Sequence, residues 1–167
     1  MTTEYRILRH FLAAIAYRTQ KALRGAPDSY PDFRVKPGVR TPHELLWHMS
    51  SVMGYARTFF IGGEWHPEKM PTLDEEITRF HDMLESFASY LERETPLRDT
   101  TPERILQGPF SDVMTHVGQL ALLRRLHGGP VPPENFIVAA IDPNNLGPDQ
   151  PDPVSPDKEW REPGIDE

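Results

Sequence analysis

Cysteine is absent from this sequence of 167 residues. The absence excludes a disulfide framework, thiolate metal ligands and a cysteine nucleophile. Long hydrophobic runs are also missing: the longest apolar stretch near the start, FLAAIA, is far too short to span a bilayer and lacks a small-residue cleavage site. We therefore expect a protein with no membrane partner and no targeting signal, located in the cytoplasm.

Basic charge is scarce as well, since 18 lysines and arginines stand against 25 acidic residues and give a net charge of −7. Binding to nucleic acid requires a clustered basic footprint. The densest basic stretches, RVKPGVR at 34–40 and RR at 124–125, are too small to provide one, so we expect no nucleic-acid partner. With 38% hydrophobic and 26% charged residues, the composition is typical of a soluble globular domain.

Four segments carry apolar residues at the three- and four-residue spacing of amphipathic helices. Two of them open with capping boxes, TPHE and TLDE, in which a threonine and a glutamate satisfy the first backbone N–H groups. A short extra turn at TPERILQ is expected before the last helix. No strand pattern competes, so we predict an all-α four-helix bundle over residues 1–130. The predicted helices cover residues 3–23, 41–61, 72–91 and 109–127.

The composition changes after residue 130. Nine of the 18 prolines lie between positions 130 and 163, and prolines at this density prevent regular structure. We predict that residues 131–167 form an extended, mostly irregular Pro-rich C-terminal arm whose last dozen residues are loose. The apolar piece NFIVAAI at 135–141 is expected to add either a strand or a short helix to the bundle.

Three polar side chains fall on the inward faces of two facing helices. His48 lies between Leu45 and Val52 on the second helix, while Asp112 and His116 are four residues apart on the fourth and share a face. Polar groups are costly in an apolar core unless they are paired. A divalent metal would satisfy two imidazoles and a carboxylate at once, and bundle metal sites are built in this way.

The residues alone leave two less specific interpretations open. Asp112 and His116 can equally form an ordinary ion pair on a solvated surface, and His48 can be a hydrogen-bonded core histidine. Among the other histidines, His127 lies roughly 16 Å beyond His116 along the helix and is assigned to capping. His10 and His81 fall off the apolar stripes of their helices, so we expect both to be exposed.

Three further residues are candidates for positioning or substrate binding. Gln119, one turn beyond His116, is expected to hydrogen-bond a ligand or orient a metal-bound water, or else to form a helix–helix hydrogen bond. Arg124 is a candidate for binding a substrate carboxylate, with helix capping as the alternative. Trp47 is expected to line the pocket or to belong to the core.

Two segments of the chain resemble the DinB-like superfamily, also described as the YfiT or bacillithiol-transferase group. They are TPHELLWHMSSVMGYARTFFIGG and, some sixty residues later, FSDVMTHVGQLALLRRLHGGPV. The specific parts are a histidine after P-x-E-L-x-x, the motif H-x-G-Q, and R-x-x-G-x-P after it. The resemblance covers essentially the whole predicted bundle and implies a homodimer of four-helix bundles.

The resemblance also implies a divalent ion, commonly zinc or nickel, held by three histidines at positions that correspond here to His48, Asp112 and His116. Aspartate replaces one histidine, which makes the site harder and also admits iron or manganese. The implied activity is thiol S-transfer with a low-molecular-weight thiol, or hydrolysis, on a small-molecule substrate. The alternative is a non-catalytic bundle that dimerises or binds a partner, with a structural Asp–His pair.

Overall fold

The computed structural model describes residues 1–155, and this part of the chain is helical with no strand. No helix in it has the length and apolarity that crossing a membrane requires. The four long helices confirm the prediction of an all-α bundle. The helices are α1 (Thr3–Leu23), α2 (Pro42–Ile61), α3 (Leu73–Glu92), the short α4 (Pro102–Ile105) and α5 (Ser111–Leu126).

Both predicted capping boxes are present and fix where α2 and α3 begin. The Thr41 hydroxyl accepts from the Glu44 backbone N–H at 3.2 Å, and the Glu44 carboxylate accepts from the Thr41 N–H at 2.9 Å. Thr72 and Glu75 repeat the arrangement at 3.2 and 3.0 Å. Each box satisfies backbone donors that the first turn of a helix leaves without partners.

The core lies between the four long helices. α2 packs against α3 and α5, and α1 packs against the same two helices from the other side. Each large apolar side chain buried there contributes roughly 2 kcal/mol relative to exposure. Every long helix supplies fully buried residues, among them Leu12, Met49, Phe87, Val113 and Leu120.

The last long helix is preceded by a π-helical turn, Leu106–Phe110, which joins it to α4. Pro109 has no N–H and cannot continue an α-helical hydrogen-bond ladder. The backbone N–H of Ser111 donates to the Leu106 carbonyl, five residues back, and the Ser111 hydroxyl donates to the same carbonyl at 2.7 Å. The extra turn predicted before the last helix is therefore α4 followed by a π turn. π turns within helices recur at functional sites.

The C-terminal arm packs on α1 of its own chain as far as the structure describes it. Phe136–Val138 forms a single 3-10 turn, which settles the choice between strand and short helix for NFIVAAI. Glu134 accepts from the Tyr17 hydroxyl at 2.6 Å and pairs with Lys21 at 3.0 Å. The predicted looseness of the last dozen residues concerns positions 156–167, which lie outside the described residues.

The prediction that His81 is exposed is wrong, whereas His10 is exposed as predicted. His81 is only 2% exposed because the arm covers that face of α3. Its Nδ1–H donates to the Leu146 carbonyl at 2.6 Å, and its Nε2 accepts from the Gln20 side-chain amide at 2.9 Å. The helical periodicity of residues 72–91 carries no information about a contact with residue 146, so it could not predict that His81 is buried.

Candidate metal centre

The structure brings together the three side chains predicted to be metal ligands. His48 projects from α2 and meets Asp112 and His116, which are one turn apart on α5. The two imidazole rings lie 4.9 Å apart between centroids. One nitrogen or oxygen from each of the three residues lies within 4.8 Å of the other two. This His-Asp-His group has donor atoms of the types that divalent transition metals bind.

The contacts within the group are too long to be hydrogen bonds. His116 Nε2 lies 3.5 Å from Asp112 Oδ1, and His48 Nε2 lies 3.9 Å from Asp112 Oδ2. Hydrogen bonds from N–H to oxygen are rarely longer than about 3.2 Å. His116 Nε2 is fully buried and has no hydrogen-bond partner among residues 1–155. A buried polar atom left in this way is destabilising unless something else satisfies it.

The direction in which His116 presents its free nitrogen is set by Gln119. The amide oxygen of Gln119 lies 2.9 Å from His116 Nδ1 and can only accept, so Nδ1 carries the proton. The lone pair of Nε2 is then directed at Asp112 and His48. Gln119 therefore orients a candidate ligand from within α5 and does not form the helix–helix hydrogen bond that was one of the alternatives.

The environment of His48 favours the neutral imidazole. Burial lowers its pKa, and the positive charge of Arg40 and the neighbouring His116 lower it further, while Asp112 acts in the opposite direction. Neutral imidazole is the form that binds a metal, because protonation removes the lone pair. His48 is thus ready to act as a ligand at neutral pH.

The spacing of the three donors fits a single ion with small adjustments. Atoms bound to one tetrahedral zinc lie about 3.4 Å apart, which follows from metal–ligand distances near 2.1 Å. The His116–Asp112 pair at 3.5 Å already meets this separation. The carboxylate of Asp112 is 49% exposed and the His48 imidazole 31% exposed, so both are free to rotate inwards. Three protein ligands leave coordination positions for water or substrate.

Two clefts flank the metal-ligand group. The first, here called the Arg104 cleft, has a volume of about 770 Å³ and reaches Asp112 itself. It runs between α2 and the α4–π-turn segment, with Tyr55 and Phe59 on one wall and Arg104 on the other. Its size is within the range of small-molecule sites.

The second cleft, here called the Arg40 cleft, has a volume of about 610 Å³ and reaches Gln119. Among the described residues that line it, only Arg40 and Gln119 have polar side chains. The rest of its lining is apolar or glycine and includes Val35, Leu122 and Leu126. The Arg104 cleft thus opens on the metal-ligand group through Asp112, while the Arg40 cleft reaches Gln119, the residue that hydrogen-bonds His116.

Trp47 and Arg124 are placed away from the metal-ligand group. The Trp47 indole donates to the Pro67 carbonyl at 2.9 Å and lines neither cleft, so it anchors the α2–α3 loop and is only half-buried. Arg124 is 5% exposed and donates to carbonyls at the end of α1, among them Ala22 at 3.1 Å. The capping alternative describes Arg124, although the helix end that it caps belongs to α1.

Two residues of the site region were not predicted from the sequence, namely Arg40 and Arg104. Both are exposed, and neither has a hydrogen bond or ion pair through its guanidinium to any residue that the structure describes. Arg40 lies in the loop before α2, and Arg104 lies in the four-residue helix α4. Neither position belongs to an amphipathic stripe, so periodicity gives no signal for them.

Comparison of the chain with family models, with curated proteins and with solved structures finds no match. The chemistry of the site is therefore inferred from this chain's own residues.

Proposed function

We propose that this chain is a metal-dependent enzyme of the DinB-like superfamily that acts on a small molecule by thiol S-transfer or hydrolysis. It binds a divalent ion, zinc or nickel in preference to iron or manganese, through His48, Asp112 and His116. The observation that carries the proposal is the Nε2 atom of His116, which is buried, unpartnered and held in a metal-binding tautomer by Gln119. An ion coordinated by all three residues supplies the partner that this nitrogen lacks.

The bound ion would supply a Lewis acid that lowers the pKa of a thiol or a water molecule. Gln119 keeps the His116 lone pair aimed at the ion, and the exposed Asp112 carboxylate opens the site to the Arg104 cleft. Tyr55 and Phe59, with ring centroids 5.2 Å apart, offer an apolar wall for the substrate and exclude water beside it. The chain has no cysteine, so a thiol nucleophile must come from a cosubstrate.

The competing interpretation is a non-catalytic bundle in which Asp112 and His116 form a structural pair. A structural pair is stabilising when the carboxylate and the imidazole share a hydrogen bond. Their 3.5 Å separation and the unpartnered His116 Nε2 argue against it. The distances support three ligands arranged around a central position rather than two side chains bonded to each other.

Elemental analysis of protein purified without a metal-binding tag tests the proposal. We expect a single zinc or nickel ion per chain after dialysis against either metal. The variants His48→Ala and His116→Ala should lose it, while His66→Ala, which removes an 83% exposed loop imidazole, should retain it. Parent protein that takes up no metal, or His48→Ala with undiminished metal, would refute the metal site.

Two assays distinguish the two reactions. Thiol transfer is followed with bacillithiol and a chromogenic electrophile, and hydrolysis with a nitrophenyl ester in the absence of thiol. We expect one of the two activities in metal-loaded parent protein and its loss in His48→Ala. A fully metal-loaded protein that is inactive in both assays would refute the enzymatic part and leave a metal-binding bundle.

A further inference from the structure

The Arg40 cleft has a lining that offers hydrogen-bond donors and no free acceptor side chain. Gln119 uses its amide oxygen on His116, so the amide nitrogen is what it presents to the cleft. Arg40 adds a guanidinium, which only donates. All other lining residues are apolar or glycine. Donors without acceptors favour a ligand whose polar end is an anion with acceptor oxygens, and a guanidinium matches a carboxylate in shape.

Arg40 is also close to the metal-ligand group. It lines the same cleft as Gln119, whose amide oxygen lies 2.9 Å from Nδ1 of His116. The nearby Arg34 is held by the Glu44 carboxylate at 2.8 Å, whereas the guanidinium of Arg40 has no partner among the described residues. An exposed cation in this lining creates a positive potential at the Gln119 end of the cleft.

The apolar part of the cleft continues away from that edge along α5. Gln119, Leu122 and Leu126 are three and four residues apart and so share a face of the helix. Leu122 and Leu126 are 53% and 54% exposed, and Val35 across the cleft is 47% exposed. From Gln119 to Leu126 the helix rises roughly 10 Å, about the length of an extended chain of eight carbon atoms. Grouped exposed apolar side chains of this kind mark a binding surface.

We infer that the Arg40 cleft binds medium-chain aliphatic carboxylates. The carboxylate lies between Arg40 and the amide nitrogen of Gln119, and the alkyl chain lies along Leu122 and Leu126 against Val35. The inference rests on the proposed function in one respect: it identifies such an acid, or a compound that contains one, as the substrate whose polar end lies beside the metal-ligand group.

The opposite cleft is a poorer site for such an anion. The Arg104 cleft also contains an arginine without a described partner, but the carboxylates of Asp99 and Asp112 line it as well. Two negative charges against one positive charge repel a carboxylate there. This contrast makes Arg104 the matched control for Arg40, since the two are exposed arginines on opposite sides of one group.

Calorimetric titration with octanoate, with and without zinc, tests the inference. We expect parent protein to bind octanoate in both conditions, Arg40→Gln to bind it at least about tenfold more weakly, and Arg104→Gln to match the parent. From butanoate to hexanoate to octanoate, affinity should rise by about threefold for each methylene, and Leu126→Asn should flatten the series. Octylamine, with the same tail and the opposite charge, should not bind.

The outcomes separate this inference from the proposed function. Equal octanoate affinity in parent and Arg40→Gln would overturn the inference. So would a loss of octanoate affinity in Arg104→Gln but not in Arg40→Gln. Neither result affects the metal site, which zinc content tests separately. Octanoate binding that depends on Arg40 in a protein that takes up no metal would uphold the inference and refute the proposed function. A dimer that dissociates in Leu126→Asn, together with no octanoate binding by the parent, would assign the cleft to a second copy of the chain and overturn the inference.

Discussion

His116 Nδ1 donates to the amide oxygen of Gln119 across 2.9 Å, three residues further along the same helix. This one bond determines which nitrogen of a buried imidazole is left for a metal. Because both residues lie on α5, the bond needs no partner from another helix. The protein's own side chains make it, so the orientation of His116 does not have to be created by the metal, which favours binding.

The first prediction removes the acceptor from Gln119. In Gln119→Met the His116 ring loses the bond that sets its tautomer, and we expect affinity for zinc to fall by about tenfold or more. Gln119→Glu keeps an acceptor oxygen and should retain tighter binding than Gln119→Met. Competition with a chromogenic chelator measures both. Gln107→Met, at an exposed position in the π turn, is the control and should bind zinc as the parent does; an unchanged affinity in Gln119→Met would contradict the orienting role.

The second prediction compares two helical glycines. A Cβ at Gly54 would lie 2.1 Å from the Trp65 indole, whereas a Cβ at Gly118 meets nothing within 4 Å. Replacing a helical glycine by alanine stabilises by about 1 kcal/mol when there is space. We expect Gly118→Ala to raise the free energy of unfolding by about that amount, and Gly54→Ala to lower it by about 1 to 3 kcal/mol because the indole must move.

Urea unfolding followed by circular dichroism measures both free energies. Tryptophan fluorescence adds a local readout, since Trp65 also stacks under Arg57, whose guanidinium lies 4.9 Å from its ring. The emission should shift to longer wavelength in Gly54→Ala and not in Gly118→Ala. Equal stabilisation by the two substitutions would show that the indole does not pack on Gly54 in solution.

Local sequence signals predicted the bundle and the grouping of the three candidate ligands because both depend largely on neighbours in the chain. The first helix was predicted over residues 3–23 and is Thr3–Leu23, since its apolar spacing and the glycine that follows are local features. The same holds for Asp112 and His116, whose shared face follows from a four-residue step on one helix. To place His48 beside them, the prediction needed only the second and fourth long helices to be adjacent. These helices are α2 and α5, and they pack against each other in the structure.

The contacts that helical periodicity could not predict are made by residues distant in sequence. His81 is buried by an arm that reaches it from residue 146. Arg124 caps α1 through carbonyls about a hundred residues earlier in the chain, among them Ala22. Arg40 approaches His48 because of the path of a loop, and no spacing rule gives that path. In each case tertiary packing determines the partner. The position of the residue within its own helix or loop therefore does not predict its contacts.

The third prediction concerns His81 and acid. Burial lowers the pKa of His81 in the folded protein below its ordinary value of 6.5. The unfolded chain therefore binds a proton more readily, and the free energy of unfolding decreases as the pH falls below about 6.5. Protonation also puts a hydrogen on Nε2 of His81. That nitrogen can then no longer accept the hydrogen bond from the Gln20 side-chain amide. We expect His81→Gln, whose amide can both donate and accept, to lose less stability over this range.

Urea unfolding at pH 7.5, 6.5 and 5.5 tests the prediction, with a chelator present so that metal release does not contribute. The informative quantity is the difference in pH dependence between parent and variant, because His43 and His48 also have lowered pKa values. His10→Gln removes an exposed imidazole and should keep the pH dependence of the parent. Identical pH dependence in parent and His81→Gln would show that His81 does not act in this way.

The fourth prediction concerns the attachment of the arm to α1. The Glu134 side chain is 0% exposed, bonded to the Tyr17 hydroxyl at 2.6 Å and to Lys21 Nζ at 3.0 Å. Burial and the adjacent carboxylate raise the pKa of Tyr17, so the phenol stays protonated and donates. In Glu134→Ala the largely buried Lys21 ammonium loses its partner, and we expect a loss of about 3 kcal/mol of stability.

The damage should begin at this part of the arm, because Glu134 is its buried polar contact with α1, whereas the contacts of Arg9 with Asn144 and of Arg24 with Asp152 lie further along the arm and are exposed. Limited trypsin digestion of Glu134→Ala should cleave near Arg18 and Lys21, which the arm covers in the parent together with Phe136, whose ring lies 4.1 Å from the Arg18 guanidinium. Asp142→Ala alters an exposed acid of the same arm and serves as the control, with parental digestion expected. Zinc content should stay unchanged in both variants, since neither residue contacts His48, Asp112 or His116. Rapid cleavage of the control, or none in Glu134→Ala, would show that the arm is held by its prolines and apolar contacts rather than by this buried ion pair.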